Sequence, residues 1–218
     1  MAMPGDSGTL TAGVAVLVVS LLAVFGPLLG IPPWLPALGA GLALAALTAD
    51  AAVLGGRGGH LVAEALPGGI ARLRRIAIHE AGHGLVAEAE AVPVRRVLVG
   101  SWAALQAGVS SGGSTEFDLP ASVKMPLADL RRWSRVLQAG MVAEELLYGA
   151  SLGGADDRAQ LGRLWGLSGH DVTTAQREQR QARREVKILL RQRQADLENR
   201  AEDLVRSAPR LGRPPATP

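Results

Sequence analysis

The sequence predicts a mainly helical α+β protein, in which two membrane-spanning helices precede a helical domain that contains a small β-sheet. Three observations lead to this prediction. Residues 7–49 contain no Asp, Glu, Lys, Arg or His, a composition typical of membrane-spanning segments. The rest of the chain alternates helical periodicity with short β-branched runs. Its length of roughly 150 residues is enough for one domain with its own core.

Two long apolar runs predict a transmembrane hairpin over residues 10–54, after a short N-terminal segment (1–9). With a rise of 1.5 Å per residue, a helix over residues 10–29 would match the roughly 30 Å thickness of the hydrocarbon layer. The Pro32-Pro33 pair ends this helix because proline has no amide N–H. A second span is then predicted over residues 35–54.

The distribution of basic residues predicts the orientation of the chain in the membrane. None of the 23 basic residues precedes Arg57, so the positive-inside rule places the chain from about residue 55 onward in the cytoplasm. A cleaved signal peptide is the alternative for the apolar region, but such peptides begin with a basic segment. We therefore expect a multi-pass protein of the cell membrane with its main domain on the cytoplasmic side.

Two features of composition limit the chemistry and the partners. The chain has no cysteine, which excludes disulfides, a thiolate metal cage and a cysteine nucleophile. Any metal must therefore be bound by His, Asp or Glu. The arginine-rich stretch 177–193 has glutamine rather than aromatic residues between its cations, so we expect no nucleic-acid partner that stacks its bases on this helix.

The first part of the main domain combines a helix with short strands. Glycine-rich residues 55–69 predict a flexible linker, and helical periodicity predicts a helix over residues 70–89. The β-branched runs at residues 92–99 and 107–110 predict a hairpin or small sheet. Residues 112–126 are predicted to be a loop.

The second part of this domain, which ends near residue 206, is predicted to be helical. Apolar residues recur with a period near 3.6 over residues 126–148, and Gly149 stands where a helix C-cap is expected. A further helix is predicted to begin at Asp156 or Asp157, and a last one to span residues 174–206. Residues 207–218 are predicted to be a flexible tail.

The motif with the clearest chemical meaning is HExxH, at residues 79–83 inside the predicted 70–89 helix. His79 and His83 are four residues apart, so both project from one helix face and can bind a single tetrahedral Zn²⁺. Glu80 points about 100° away around the helix, where its carboxylate can accept a proton from an attacking water. The motif therefore predicts a zinc site with Glu80 as its general base.

A catalytic zinc normally has three protein ligands, so HExxH leaves one to be found. His60 and His170 lie in flexible-looking segments, which makes carboxylates the better candidates. These carboxylates are Glu144, Glu145, Asp156 and Asp157. The residues alone leave the choice open, and Glu144 is equally suited to orienting a ligand histidine or to facing solvent.

Several motifs in order resemble the FtsH-type membrane-bound, ATP-dependent zinc metalloproteases. Residues 78–87, IHEAGHGLVA, are similar to the zinc-site helix of that family, HEAGHALVA. Residues 93–97 resemble the strand after this helix, and residues 106–110 resemble the substrate-side strand. Residues 139–149 are similar to the GGRAAEELVFG helix, and residues 154–157 to the GASND turn.

The resemblance covers about residues 70–206 and implies a membrane-anchored zinc metalloendopeptidase, a hydrolase that cleaves peptide bonds of protein substrates. It implies two zinc ligands, His79 and His83, with Glu80 as the catalytic base. It also implies Asp157 as the third ligand, with Asp156 and Glu144 as alternates. An extended substrate is then expected to pair with the predicted strand at Gly108, Val109 and Ser110.

The family's ATPase module has no counterpart in this sequence. No Gly-x-x-x-x-Gly-Lys-Ser/Thr motif occurs, so we do not expect this chain to bind ATP through a phosphate loop. Partners that fit are polypeptide substrates, the lipid bilayer, a separate ATPase or further copies of the chain. The alternative function is a non-proteolytic membrane adaptor or regulator that keeps the peptidase fold, or a partner subunit of a separate ATPase.

Overall fold

The computed structural model describes residues 17, 19–54, 58, 61, 64, 68–109, 111–118 and 124–209. The chain divides between Gly59 and His60 into two compact units. The described residues are mainly helical, with one two-stranded antiparallel sheet. The predicted class, mainly α with a small β-sheet, is therefore confirmed.

The described residues of the first unit are mostly in apolar helices. Helix α1 covers Val19–Leu29, and α2 covers Trp34–Ala49 and continues as a π-helical turn over Asp50–Leu54. The segment Trp34–Val53 is long and apolar enough to cross a membrane, and in the part of the chain that the structure describes it is the single helix of that kind. The predicted first span, residues 10–29, lies partly outside the described residues. That this segment also crosses the membrane remains a prediction.

The second unit is built around α3 (Gly69–Ala89). This helix packs against α5 (Leu127–Tyr148) and α8 (Gln194–Ser207), while α5 also packs against α6 (Ala155–Leu167) and α7 (Val172–Gln192). The core forms where the apolar stripes of these helices meet. Its largest fully buried aliphatic side chains are Leu73, Ile78, Leu85, Leu130, Leu137, Leu190 and Leu197.

The sheet pairs β1 (Val94–Val99) with β2 (Gly113–Phe117) in antiparallel register, and the short helix α4 (Ser101–Gln106) lies between the strands along the chain. The strand predicted at residues 107–110 is wrong over its described part, residues 107–109. Gly108 has a φ of 73°, and the Val109 amide bonds to the Ala104 carbonyl at 2.9 Å, so these residues form the turn that ends α4.

The second strand instead lies in the stretch predicted as a loop, where β2 places Thr115 opposite Val97. The predicted flexible linker also needs a correction at one position. The Glu64 carboxylate accepts a 2.7 Å hydrogen bond from the Ser101 amide, so this residue is tied to the second unit. Residues 55–57, 59–60, 62–63 and 65–67 of the predicted linker lie outside the described residues.

The helix predictions in the main domain are confirmed to within about two residues, with one exception. Helix α5 ends at Gly149, which has a φ of 78° as expected of a C-cap glycine. The helix predicted over residues 174–206 is broken at Arg193, whose backbone is not helical (φ −110°, ψ 31°). This break lets α7 pack on α5 while α8 packs on α3.

Helices α3 and α5 approach each other closely at Gly82. A Cβ atom there would lie 2.7 Å from the Ala143 Cβ and 2.8 Å from the Ala139 carbonyl oxygen. Overpacking of this kind typically costs about 1–3 kcal/mol, whereas the higher helix propensity of alanine contributes only about 1 kcal/mol in the other direction. We therefore expect Gly82→Ala to lower the free energy of unfolding. Thermal unfolding of the detergent-solubilised chain, followed by circular dichroism, measures the change.

Gly84→Ala on the same helix is the matched control. Its Cβ would meet the Arg200 Nη1 atom at 3.2 Å, and this flexible side-chain end can move away. We therefore expect Gly84→Ala to keep or raise the melting temperature. A Gly82→Ala variant as stable as Gly84→Ala would contradict the close packing of α3 against α5.

Candidate metal centre

Three side chains converge to form a group that could hold a metal ion. The His79 and His83 Nε2 atoms lie 3.1 Å apart, and the Asp157 Oδ2 atom lies 3.0 Å from the first and 3.4 Å from the second. The three ligand atoms lie within 4.8 Å of one another. The structure therefore brings the two HExxH histidines together with the preferred third residue.

The fold explains how residues so far apart in sequence meet. Both histidines are buried on the face of α3 that packs against α5, because residues four apart share one helix face. Asp157 lies in the first turn of α6, and this helix begins directly after Gly154. Gly154 has a φ of 84°, a left-handed conformation that glycine adopts without strain, and it turns the chain into α6.

Each histidine is oriented through its other ring nitrogen. The His79 Nδ1 atom lies 2.7 Å from a Glu144 carboxylate oxygen, and the His83 Nδ1 atom lies 2.8 Å from the Val136 carbonyl. A carbonyl can only accept, so His83 donates from Nδ1; we assign the same tautomer to His79 from its carboxylate partner. Both Nε2 atoms then face Asp157, where a bound metal would replace the hydrogen bond between His79 Nε2 and Asp157; histidine metal ligands commonly use this arrangement.

Glu144 is the centre of a hydrogen-bond network behind His79. Its carboxylate accepts bonds from Arg75 Nε at 2.6 Å and from the Leu152 and Gly153 amides at 3.0 and 3.2 Å. Burial opposes ionisation, but the hydrogen bonds from His79, Leu152 and Arg75 lower the pKa of Glu144 to about 2. Because this carboxylate contacts Nδ1, it orients His79 and leaves the third ligand position to Asp157.

Arg75 extends this network to the loop that leads into α6. Besides Glu144, it donates a hydrogen bond to the Ala150 carbonyl, and its guanidinium carbon lies 4.9 Å from the centre of the Tyr148 ring. One side chain of α3 thus ties the end of α5 to the loop that precedes Asp157.

The electrostatics of the group favour a cation. Burial lowers the pKa of His79, but hydrogen bonds to the Asp157 and Glu144 carboxylates outweigh it and raise this pKa to about 10. For Asp157, burial is likewise outweighed by its bonds to the histidines, which lower its pKa. Two imidazole nitrogens and one carboxylate oxygen match the donor set of catalytic zinc sites and also suit other divalent transition metals such as Fe²⁺.

Glu80 lies beside the group without belonging to it. Its side chain is buried, and its carboxylate accepts a 2.7 Å hydrogen bond from the Thr115 hydroxyl on β2. Burial raises the pKa of Glu80, against the opposing effect of the nearby His83 and His79. The Thr115 hydrogen bond thus holds the buried Glu80 carboxylate in a fixed position next to the group formed by His79, His83 and Asp157.

Gly140 on α5 makes room for the two histidines. A Cβ atom at this position would lie 2.6 Å from the His83 Nε2 atom and closer still to the His79 Nε2 atom. The missing side chain therefore leaves the ligand nitrogens accessible on this side.

We expect Gly140→Ala to abolish stoichiometric metal binding, because the added methyl group would displace both ligand histidines. Elemental analysis of the purified full-length chain gives the metal content. Gly162→Ala is the control, since a Cβ at Gly162 would meet nothing within 4 Å, and this variant should bind metal normally. Full metal content in Gly140→Ala would show that the histidines do not hold the ion through Nε2.

The other predicted site residues lie elsewhere. Asp156 is exposed and outside the metal-capable group. Glu145 pairs with Arg183, and the His170 ring packs against that of Trp165. Gly108 and Val109, predicted to bind substrate on a strand, lie in the turn after α4 instead. His60 and Ser110 lie outside the described residues.

Three residues of the site could not be assigned a role from the sequence. Thr115 lies in a stretch predicted to be a loop, and nothing in its surroundings marks it as a partner of Glu80. Arg75 is one of several arginines at the start of α3. Gly140 belongs to the motif that resembles the family's GGRAAEELVFG helix. In the sequence, only the absence of a side chain indicates that another group packs closely against this position.

No model of a known protein family matches this chain, and no curated protein gives a significant match. The resemblance to FtsH-type metalloproteases therefore remains a prediction from the sequence motifs.

Proposed function

We propose that the protein is a membrane-anchored zinc metalloendopeptidase. The observation that supports this best is the buried Glu80 carboxylate, which lies close enough to His79, His83 and Asp157 to interact electrostatically with all three. Such a cluster alone is compatible with a merely structural metal. A fixed carboxylate next to it, in an HExxH helix, favours a hydrolytic role.

In this proposal Glu80 is the general base and then the general acid. When bound, zinc would supply a Lewis acid that polarises the scissile carbonyl and makes the attacking water more acidic. Glu80 accepts the proton of that water and then gives it to the leaving amine. The Thr115 hydroxyl holds the Glu80 carboxylate in place, and Glu144 fixes the orientation of the His79 ring.

We propose that an extended substrate pairs with β2 instead of the turn at Gly108. In the described part of the chain, β2 pairs only with β1, and Thr115 brings it directly to Glu80. The Phe117 ring of the same strand lies 6.1 Å from that of His83. Backbone pairing along a strand edge is a common way to bind an unfolded peptide.

The proposal places the active domain at a membrane. The segment Trp34–Val53 would cross the bilayer, and we retain the first span over residues 10–29 and a cytoplasmic domain as part of the proposal. Without a phosphate-loop motif, the chain would act on flexible substrates, or together with a separate ATPase or further copies of itself.

The test uses the detergent-solubilised full-length chain and an unstructured protein such as casein, without ATP. We expect about one zinc per chain and cleavage that stops with a chelator and returns when zinc is added. Bound zinc without cleavage of any unstructured protein would favour the adaptor. A chain that binds no metal after incubation with zinc would contradict the proposal.

A further inference from the structure

Helix α7 exposes a row of cations on one side. Its cationic face consists of Arg177, Arg180, Arg184, Lys187 and Arg191, all of them exposed. At 100° per residue these positions lie within about 80° of arc around the helix. The two glutamates of the same helix lie on the other side, where Glu178 is bound by Arg131 and Glu185 by Arg135 of α5.

Among the residues that the structure describes, most cations of this face have no ion pair, although many other arginines of this unit do. Elsewhere, arginines such as Arg96, Arg135 and Arg200 bind carboxylates at 2.5–2.7 Å. On the cationic face, Arg184 contacts only the Gln181 amide, and Arg177 has a carboxylate partner at 3.4 Å. Within the described residues, Arg180, Arg184, Lys187 and Arg191 have no carboxylate within 4.0 Å.

We propose that this cationic face docks on a membrane surface that contains anionic lipids. Four uncompensated cations in one row suit a plane of negative headgroups, to which each is expected to contribute about a five-fold increase in the docking equilibrium constant. Ile188 lies beside the cations and is 57% exposed, so it can enter the boundary between headgroups and acyl chains. The face has no aromatic residue on which nucleic-acid bases could stack.

A docked α7 would hold the domain against the bilayer. The opposite face of α7, with Ala182, Val186 and Leu190 buried, packs on α5. Docking therefore needs no change in the core and does not involve the metal-capable group. It goes beyond the proposed peptidase activity and is tested without a substrate.

The experiment uses the full-length chain in vesicles. The protein has no cysteine, so Ile188→Cys provides a single thiol for an environment-sensitive fluorophore. We expect a blue-shifted, brighter emission in vesicles with one third phosphatidylglycerol than in pure phosphatidylcholine, and a reversal of this change at high salt. Flotation with pure phosphatidylcholine vesicles tests membrane attachment separately.

Two charge-neutralised variants, each in the labelled background, distinguish the cationic face from net charge. The Arg180→Gln, Arg184→Gln, Lys187→Gln, Arg191→Gln variant should lose the lipid-dependent shift. The control carries Arg72→Gln, Arg95→Gln, Arg163→Gln and Arg206→Gln, four exposed positions outside α7, and should keep it. Equal emission in both lipids would overturn the inference, as would an emission change on addition of RNA but not of anionic lipid.

Discussion

Glu80→Gln is expected to lower the cleavage rate by about 10²- to 10⁴-fold without loss of metal, since this is the usual contribution of general acid–base catalysis. Glutamine has nearly the same shape, and its amide oxygen can still accept the hydrogen bond from Thr115, but it cannot take up a proton. Glu80 is not part of the metal-capable group. The initial rate of casein cleavage and the metal content per chain measure the two effects.

Glu88→Gln is the matched control because it makes the same change two turns further along α3. Glu88 lies on the surface, where it binds Arg200 at 2.7 Å and Arg193 at 3.1 Å. We expect its variant to cleave casein at the normal rate. Cleavage by Glu80→Gln at the rate of Glu88→Gln would exclude Glu80 as the general base, and loss of metal from it would show that Glu80 supports the ligands.

The helices of the main domain could be predicted from sequence because their apolar periodicity is long and their ends carry clear signals. Helix α5 has a buried stripe of several turns and ends at a glycine with positive φ. The break between α7 and α8 carries no such signal. Arg193 is a good helix former, and only the packing of the two halves on different partners bends the chain there.

The strand error has a similar origin. Val109 suggested a strand, but Ala103 and Ala104 favour a helix and are buried in α4. The true partner of β1 has the sequence GSTEF, in which glycine and glutamate are weak strand formers. Its pairing with β1 is a long-range contact that short-range patterns do not report.

The candidate site was predictable to the extent that its residues share one helix. His79, Glu80 and His83 follow from helical geometry alone, whereas Asp157 reaches them through a glycine turn that no periodicity reveals. The role of Glu144 was open between orienting a histidine and facing solvent. Tertiary packing decides it, because the bonds from Arg75, Leu152 and Gly153 form only when α3, α5 and the loop before α6 come together.

Asp157→Ala is expected to weaken metal binding by more than about 100-fold, because it removes one of three ligands, a larger change than the 10- to 100-fold effect of losing an orienting partner. Glu144→Gln should fall within that smaller range, since Glu144 supports His79 Nδ1 and the loop before α6 and is not itself a ligand. Asp156→Ala should bind metal normally. Titration with a competing chelator gives the three dissociation constants.

The ranking of the three metal dissociation constants tests which carboxylate is the third ligand more strictly than any single constant does. Asp156 and Asp157 both lie in the first turn of α6, so replacing either removes a negative charge from the same helix N-terminus, worth about 0.3–1 kcal/mol. A difference in metal affinity between the Asp156→Ala and Asp157→Ala variants therefore cannot be explained by the lost charge at the N-terminus of α6. If Glu144→Gln weakened binding more than Asp157→Ala, Glu144 would be the ligand and the orientation of the His79 ring would be reversed.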